Sequence, residues 1–264
     1  LLLRESVALI PLGRIVSWLD LLALGLSLAL LNWARDRMGR DLYLTLFMAS
    51  GRPELAAGFY ALLLLPGVAV HELAHWLAAK LLFIRTHRFS LIPKQMADGT
   101  LRTGYVLMDR ADPFRSALVG AAPLMVGIPL VLYLARAGLQ LDELWEALRG
   151  GQVMAMLAWL ESFRAERMNW LWSYLLFANA NAMLPSREDR RAWLPVALAV
   201  GLGLGAIYLM GRATWITLWI APVLARAARA GTQAFLLTAA LDGLVLIPIW
   251  LAKGVVMRVR VGRG

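Results

Sequence analysis

The chain has 264 residues, 60% of them hydrophobic and 17% charged, against roughly 45–50% and about 25% in ordinary soluble domains. With a mean hydropathy of +0.65, a soluble globule is excluded, because such a domain must cover its exterior with polar groups. The net charge of +10 sits in short Lys and Arg groups between apolar runs, as in membrane loops, and no basic stripe interleaved with aromatics points to nucleic acid. The absence of cysteine excludes disulfides, thiolate metal sites and a cysteine nucleophile, so any metal must be held by His, Asp or Glu.

A spanning helix needs about 20 mostly apolar residues. Six segments have that character: 15–33, 55–83, 116–134, 168–184, 192–210 and 232–251. The expectation is an all-α polytopic membrane protein, a single membrane-embedded domain over 1–264 with about six transmembrane helices. Leu141–Leu148 and Trp215–Leu224 read as interfacial or re-entrant pieces. Six spans put both termini on one side. The side that collects Arg4, Arg14, the 85–115 loop, Arg187, Arg190, Arg191 and the basic tail is the richer in cations, which places it in the cytoplasm.

Between the second and third spans, Phe89–Gln95 and Thr100–Met108 flank Asp98-Gly99, a strong hairpin turn signal. Asp112-Pro113 follows, an N-cap and a proline at the first helical position. In the fifth span Gly201 and Gly205 form a Gly-x-x-x-Gly that lets helices approach closely. Trp18, Trp33, Trp170 and Trp193 read as interfacial anchors.

Two of the three histidines fall in His71-Glu72-Leu73-Ala74-His75, an HExxH motif. On a helix, residues four apart share a face about 5–6 Å apart, close enough for two imidazoles to hold one Zn2+. Glu72, about a quarter-turn away, can act as general base without being a ligand. All three lie in an apolar stretch, where ionisable side chains cost roughly 2.5–3.5 kcal/mol each. Zinc compensates, because it keeps the imidazoles neutral and replaces their lost hydration. A catalytic site needs a third protein ligand, for which the candidates are Asp189, Glu188, Asp242 and His87.

These residues resemble the site-2 protease family of intramembrane zinc metalloproteases (peptidase family M50). That family has HExxH in one transmembrane helix and, in a later one, an Asn-x-x-Pro-x-x-x-x-Asp-Gly element whose Asp is the third zinc ligand. Here Asn181 and Asp189 keep the family's eight-residue separation, while the proline, Pro185, stands one place later and Arg190 replaces the glycine. Ala74 stands where the family often has glycine, and Ala121-Ala122-Pro123 replaces a Gly-Pro element. The chain is therefore similar to a divergent member, with specific resemblance over 68–79 and 179–189 and no PDZ or CBS module.

The resemblance implies Asp189 as third ligand and Asn181 as a substrate-binding residue, lining the site to hold substrate backbone or the oxyanion. Asp242, in Leu241-Asp242-Gly243, is the alternative third metal ligand. The second and fourth spans run in the same direction, so the two motifs can meet. The resemblance further implies hydrolysis of membrane-protein substrates in or near their transmembrane segments, with the hairpin near the active-site helix pairing with an unwound segment. Two other readings remain open: a proteolytically inactive zinc-binding scaffold, and a transporter that relays ions through its intramembrane His and Asp residues.

Overall fold

The computed structural model describes residues 17–91, 94–95, 101–102 and 104–261. Helix α1 (Trp18–Ser50) opens with a reciprocal cap in which Ser17 Oγ accepts from the Asp20 backbone N–H and the Asp20 carboxylate accepts from the Ser17 N–H. It ends at Gly51, whose φ of 69° suits a residue without Cβ. Helix α2 (Pro53–Leu81) follows at once, with proline in its first turn.

A small antiparallel ribbon comes next. Strand β1 (Thr86–Ser90) pairs with β4 (Tyr105–Met108), and β2 (Lys94–Gln95) pairs with β3 (Leu101–Arg102). Their nested order is that of the expected hairpin, and its turn residues Asp98 and Gly99 lie outside the described residues. A bulge at His87 shifts the register at the base of the ribbon. Asp112 caps helix α3 (Pro113–Tyr133) by accepting from the Phe114 and Arg115 N–H groups.

A π-turn at Leu134–Gly138 extends α3, and α4 (Leu141–Arg149), α5 (Val153–Ala165) and α6 (Met168–Ala182) follow. The last helices are α7 (Trp193–Leu209), the single turn α8 (Ala213–Trp215) and α9 (Ala221–Val261), with a π-turn at Ile216–Ile220 joining the last two.

Two helix groups make the molecule. Helix α1 buries Ser27, Leu31, Ala34, Met38 and Asp41, a spacing of alternate fours and threes that forms a seam along one face. It packs along α9 and runs parallel to it, since Asp20 meets Arg229 at 3.0 Å near their starts and Asp41 meets Lys253 at 3.1 Å near their ends. The second group is α2, α3 and α6. Helices α2 and α6 are parallel and very close: a methyl on Gly67 would overlap the Ala178 carbonyl oxygen. Helix α3 runs antiparallel to α6, with the Asn179 carboxamide donating to the Gly127 carbonyl at 3.1 Å.

The count of six spans is corrected. Among the described residues, three helices are long and apolar enough to cross a membrane: Pro53–Leu81, Pro113–Gly138 and Ala213–Arg258. The segment 168–184 forms a helix of 15 residues and 192–210 one of 17. At 1.5 Å per residue these reach only about 22 and 25 Å, short of a hydrocarbon core about 30 Å thick. The apolar 15–33 stretch is no separate span either, because α1 continues unbroken through the charged 35–41 run. Trp215–Leu224 is not a detached piece, since it joins the segment 232–251 in one continuous helical stretch.

The three spanning helices support a multi-pass membrane protein, almost entirely helical, with a small β-ribbon. The cytoplasmic placing of both termini counted loops between six spans, and three spans do not support that count. Trp18, Trp33 and Trp170 are largely exposed, whereas the Trp193 indole N–H is buried. Around Gly201 and Gly205 there is open space, so neither mediates a close helix contact here.

Candidate metal centre

His71 and His75 lie one turn apart in the last third of α2. Each ring is oriented by a backbone carbonyl from another helix. His71 Nδ1–H donates to the Ala182 carbonyl at 2.6 Å, and His75 Nδ1–H donates to the Val119 carbonyl at 2.9 Å. Both acceptors are free for physical reasons. Ala182 is the last residue of α6, where carbonyls lack a helical partner. Val119 stands four residues before Pro123, inside α3, and proline has no N–H to bond it. With the hydrogens on Nδ1, the two Nε2 lone pairs are left to converge, 3.1 Å apart.

Asp189 closes the group. It belongs to the connector between α6 and α7, where Ser186 and Asp189 cap each other: the Ser186 N–H donates to Asp189 Oδ2 at 2.7 Å, and the Asp189 N–H donates to Ser186 Oγ at 3.3 Å. That turn brings Asp189 Oδ1 to 3.2 Å from His75 Nε2, with Oδ2 3.8 Å from His71 Nε2. Burial disfavours the Asp189 charge, and the hydrogen bonds from Ser186 favour it. The connector reaches this place because Gly120 of α3 has no side chain, since a Cβ there would overlap the Asp189 carbonyl oxygen.

One ligand atom from each of His71, His75 and Asp189 lies within 4.8 Å of the others. Ligands about 2.05 Å from a tetrahedral zinc are about 3.3 Å from one another. The two Nε2 atoms, 3.1 Å apart, and the 3.2 Å from His75 Nε2 to Asp189 Oδ1 match that spacing, with the other carboxylate oxygen 3.8 Å from His71 Nε2, and a two-nitrogen, one-oxygen donor set is one that zinc accepts. The cluster, largely buried, is able to chelate a metal ion. Glu72 is buried beside it, its Cγ against Gly104 at the start of β4, where even a methyl would be too close.

No protein-family model, no curated protein and no solved structure matches the chain.

The remaining candidates stand outside the ligand group. Asp242 is fully buried on α9 and accepts from the Asn181 carboxamide at 2.8 Å, outside the His71, His75 and Asp189 group. His87, at the bulge of the ribbon, pairs with Asp109 at 2.6 Å in an exposed position. Glu188 and Asn181 line the same cavity of about 1020 Å³ as His71, Glu72, His75 and Asp189. Arg35 and Tyr60, which the sequence reading did not single out, also line it. The two carbonyl partners of the imidazoles were missed as well, although Pro123 was a signal for one of them.

Proposed function

We propose that the protein is an intramembrane zinc metalloprotease, similar to the site-2 protease family, that hydrolyses peptide bonds in or near the transmembrane segments of membrane-protein substrates. The observation that carries this reading is the convergence of two oriented imidazoles of a spanning helix with a carboxylate from the connector after α6, with Glu72 lining the same cavity.

His71, His75 and Asp189 would hold the zinc. When bound, zinc supplies Lewis acidity, lowering the pKa of water towards about 7 and polarising the scissile carbonyl. Glu72 takes the proton of the attacking water and returns it to the leaving amine. The Ala182 and Val119 carbonyls keep both imidazoles in the tautomer that ligates. An intact transmembrane helix resists hydrolysis because its carbonyls are already hydrogen-bonded. The β1/β4 ribbon, whose Gly104 end touches Glu72, gives an unwound segment a surface to extend along.

The test is zinc content together with cleavage of a membrane substrate. Glu72→Gln is expected to retain stoichiometric zinc and to lose cleavage; undiminished cleavage would sink the mechanism. His71→Ala and Asp189→Ala are expected to lose zinc while Asp242→Ala keeps it, and the reverse pattern for the two aspartates would overturn the ligand set. Zinc without any cleavage by the wild type would favour the scaffold reading, to which the displaced Pro185 and the Arg190 substitution lend support.

A further inference from the structure

Tyr60, Leu64, Val68, His71 and His75 of α2 all line the cavity of the metal centre, three or four residues apart, so it extends along one face of that helix. Beyond the ligands, its wall carries a cation with no counter-ion. Arg37 pairs with Asp41 and Arg229 with Asp20, whereas Arg35 of α1, half-buried, makes no hydrogen bond or ion pair among the described residues. The nearby Asp242 gives Oδ1 to Asn181 and does not reach ion-pair distance from Arg35. The Tyr60 hydroxyl likewise has no hydrogen-bond partner among the described residues. Two donors on one wall are thus uncommitted, and leaving a guanidinium unpaired in apolar surroundings is costly.

The position of Arg35 follows from the helix pair. Only Gly51 and Arg52 separate α1 from α2, and the two helices pack together, so they run antiparallel. The Tyr60 hydroxyl closes on Gly39, where a Cβ would stand 3.1 Å from it. Arg35 is one turn before Gly39 and therefore one turn nearer the metal centre, about level with Leu64 and about 10 Å from His71 along the axis. An extended peptide advances roughly 3.3 Å per residue, so two or three residues cover that distance. We propose that Arg35, with the Tyr60 hydroxyl, is a specificity-determining subsite that takes a carboxylate of the substrate two or three residues from the scissile bond. Guanidinium suits this task, because its planar fork matches both oxygens of a carboxylate. Leu64 and Val68 line the cavity between this subsite and the imidazoles, so the preferred segment is apolar with one acid. That acid is a Glu or Asp side chain or the chain's own C-terminus. This inference rests on the peptidase reading above.

The experiment measures binding of short apolar peptides, carrying a hydroxamate at one end or the other, to the zinc-loaded protein in detergent. Glu is placed at each position in turn beside its Gln counterpart, and probes with the hydroxamate at the amino end are made with a free and with an amidated C-terminus. In the wild type, one carboxylate position is expected to bind about 10-fold or more tighter than its neutral counterpart, as a charge-assisted hydrogen bond does. Whether that position is a Glu or the free C-terminus tells the two sources apart. Arg35→Gln is expected to bind the neutral probe within about 2-fold of the wild type and to lose the preference, and Arg35→Glu to prefer Lys over Gln at the same position. A reversal of that kind is not produced by a merely structural role. Tight hydroxamate binding with no carboxylate preference at any position in the wild type overturns the proposal alone, without need of a variant. An undiminished preference in Arg35→Gln overturns it equally. A zinc-loaded wild type that binds no hydroxamate overturns the peptidase reading and this inference with it.

Discussion

Pro123 settles where the His75 ring points. An interior proline normally only weakens a helix, by about 3 kcal/mol or more, yet here the carbonyl it releases, Val119, is the one that His75 Nδ1–H donates to. In Pro123→Ala the new N–H competes for that carbonyl. The metal-free variant should be no less stable than the wild type, while zinc affinity falls about 10-fold, the usual scale for loss of a ligand's supporting hydrogen bond. Competition with a chelator measures the one and thermal unfolding the other. Equal zinc affinity would show that the Val119 contact does not hold the imidazole. The HExxH pair itself was legible in the sequence because a four-residue separation on a helix is a purely local fact. The role of Pro123 was not, because its released carbonyl has meaning only beside α2.

At the scale of elements, glycines decide how closely the centre is assembled. Gly67 lets α2 touch α6, and Gly120 lets the 183–192 connector fold down onto α3 and present Asp189. The glycines that stand out in the sequence, Gly201 and Gly205, face open space, while the two that matter carry no periodic signature. Gly120→Ala should therefore separate Asp189 from the imidazoles and lower zinc affinity by at least about 10-fold, with helical content unchanged by circular dichroism. Gly203→Ala, with open space around it, is the matched control. Unaltered zinc binding in Gly120→Ala would mean that the connector does not need this approach. Within the charged run at 186–191, Ser186 and Asp189 cap each other and point the carboxylate inward.

Over the whole molecule, α1 and α9 form a parallel pair pinned near both ends. At one end, Asp41 is buried and accepts from Arg37, Trp250 and Lys253, which satisfies a charge that would be costly alone. At the other, the Arg229 hydrogen bond, helped by the Ser17 N–H, pulls the Asp20 pKa from 3.8 down to about 2. A carboxyl depressed on folding stabilises the protein above its unfolded pKa and loses that contribution as pH falls through the folded value. Stability of the wild type should decline between about pH 4 and 2 more steeply than that of Asp20→Asn, measured by thermal unfolding in detergent. Parallel curves would show that the pair does not stabilise the helix junction.

Composition alone determined that this chain belongs with lipid, and the helical period alone determined that two imidazoles and a glutamate share one turn, because both are properties of neighbouring residues. The number of spans was overestimated from the same data, since apolar content does not reveal where helices stop; α6 and α7 end after 15 and 17 residues. Only the tertiary structure separated Asp189 from Asp242. Both are acids near apolar helices, and what distinguishes them is which one the packing of α2, α3 and α6 sets against the Nε2 atoms and which one it sets behind Asn181. Such choices depend on atoms brought together across as many as 118 positions of chain, a distance over which no local periodicity carries information.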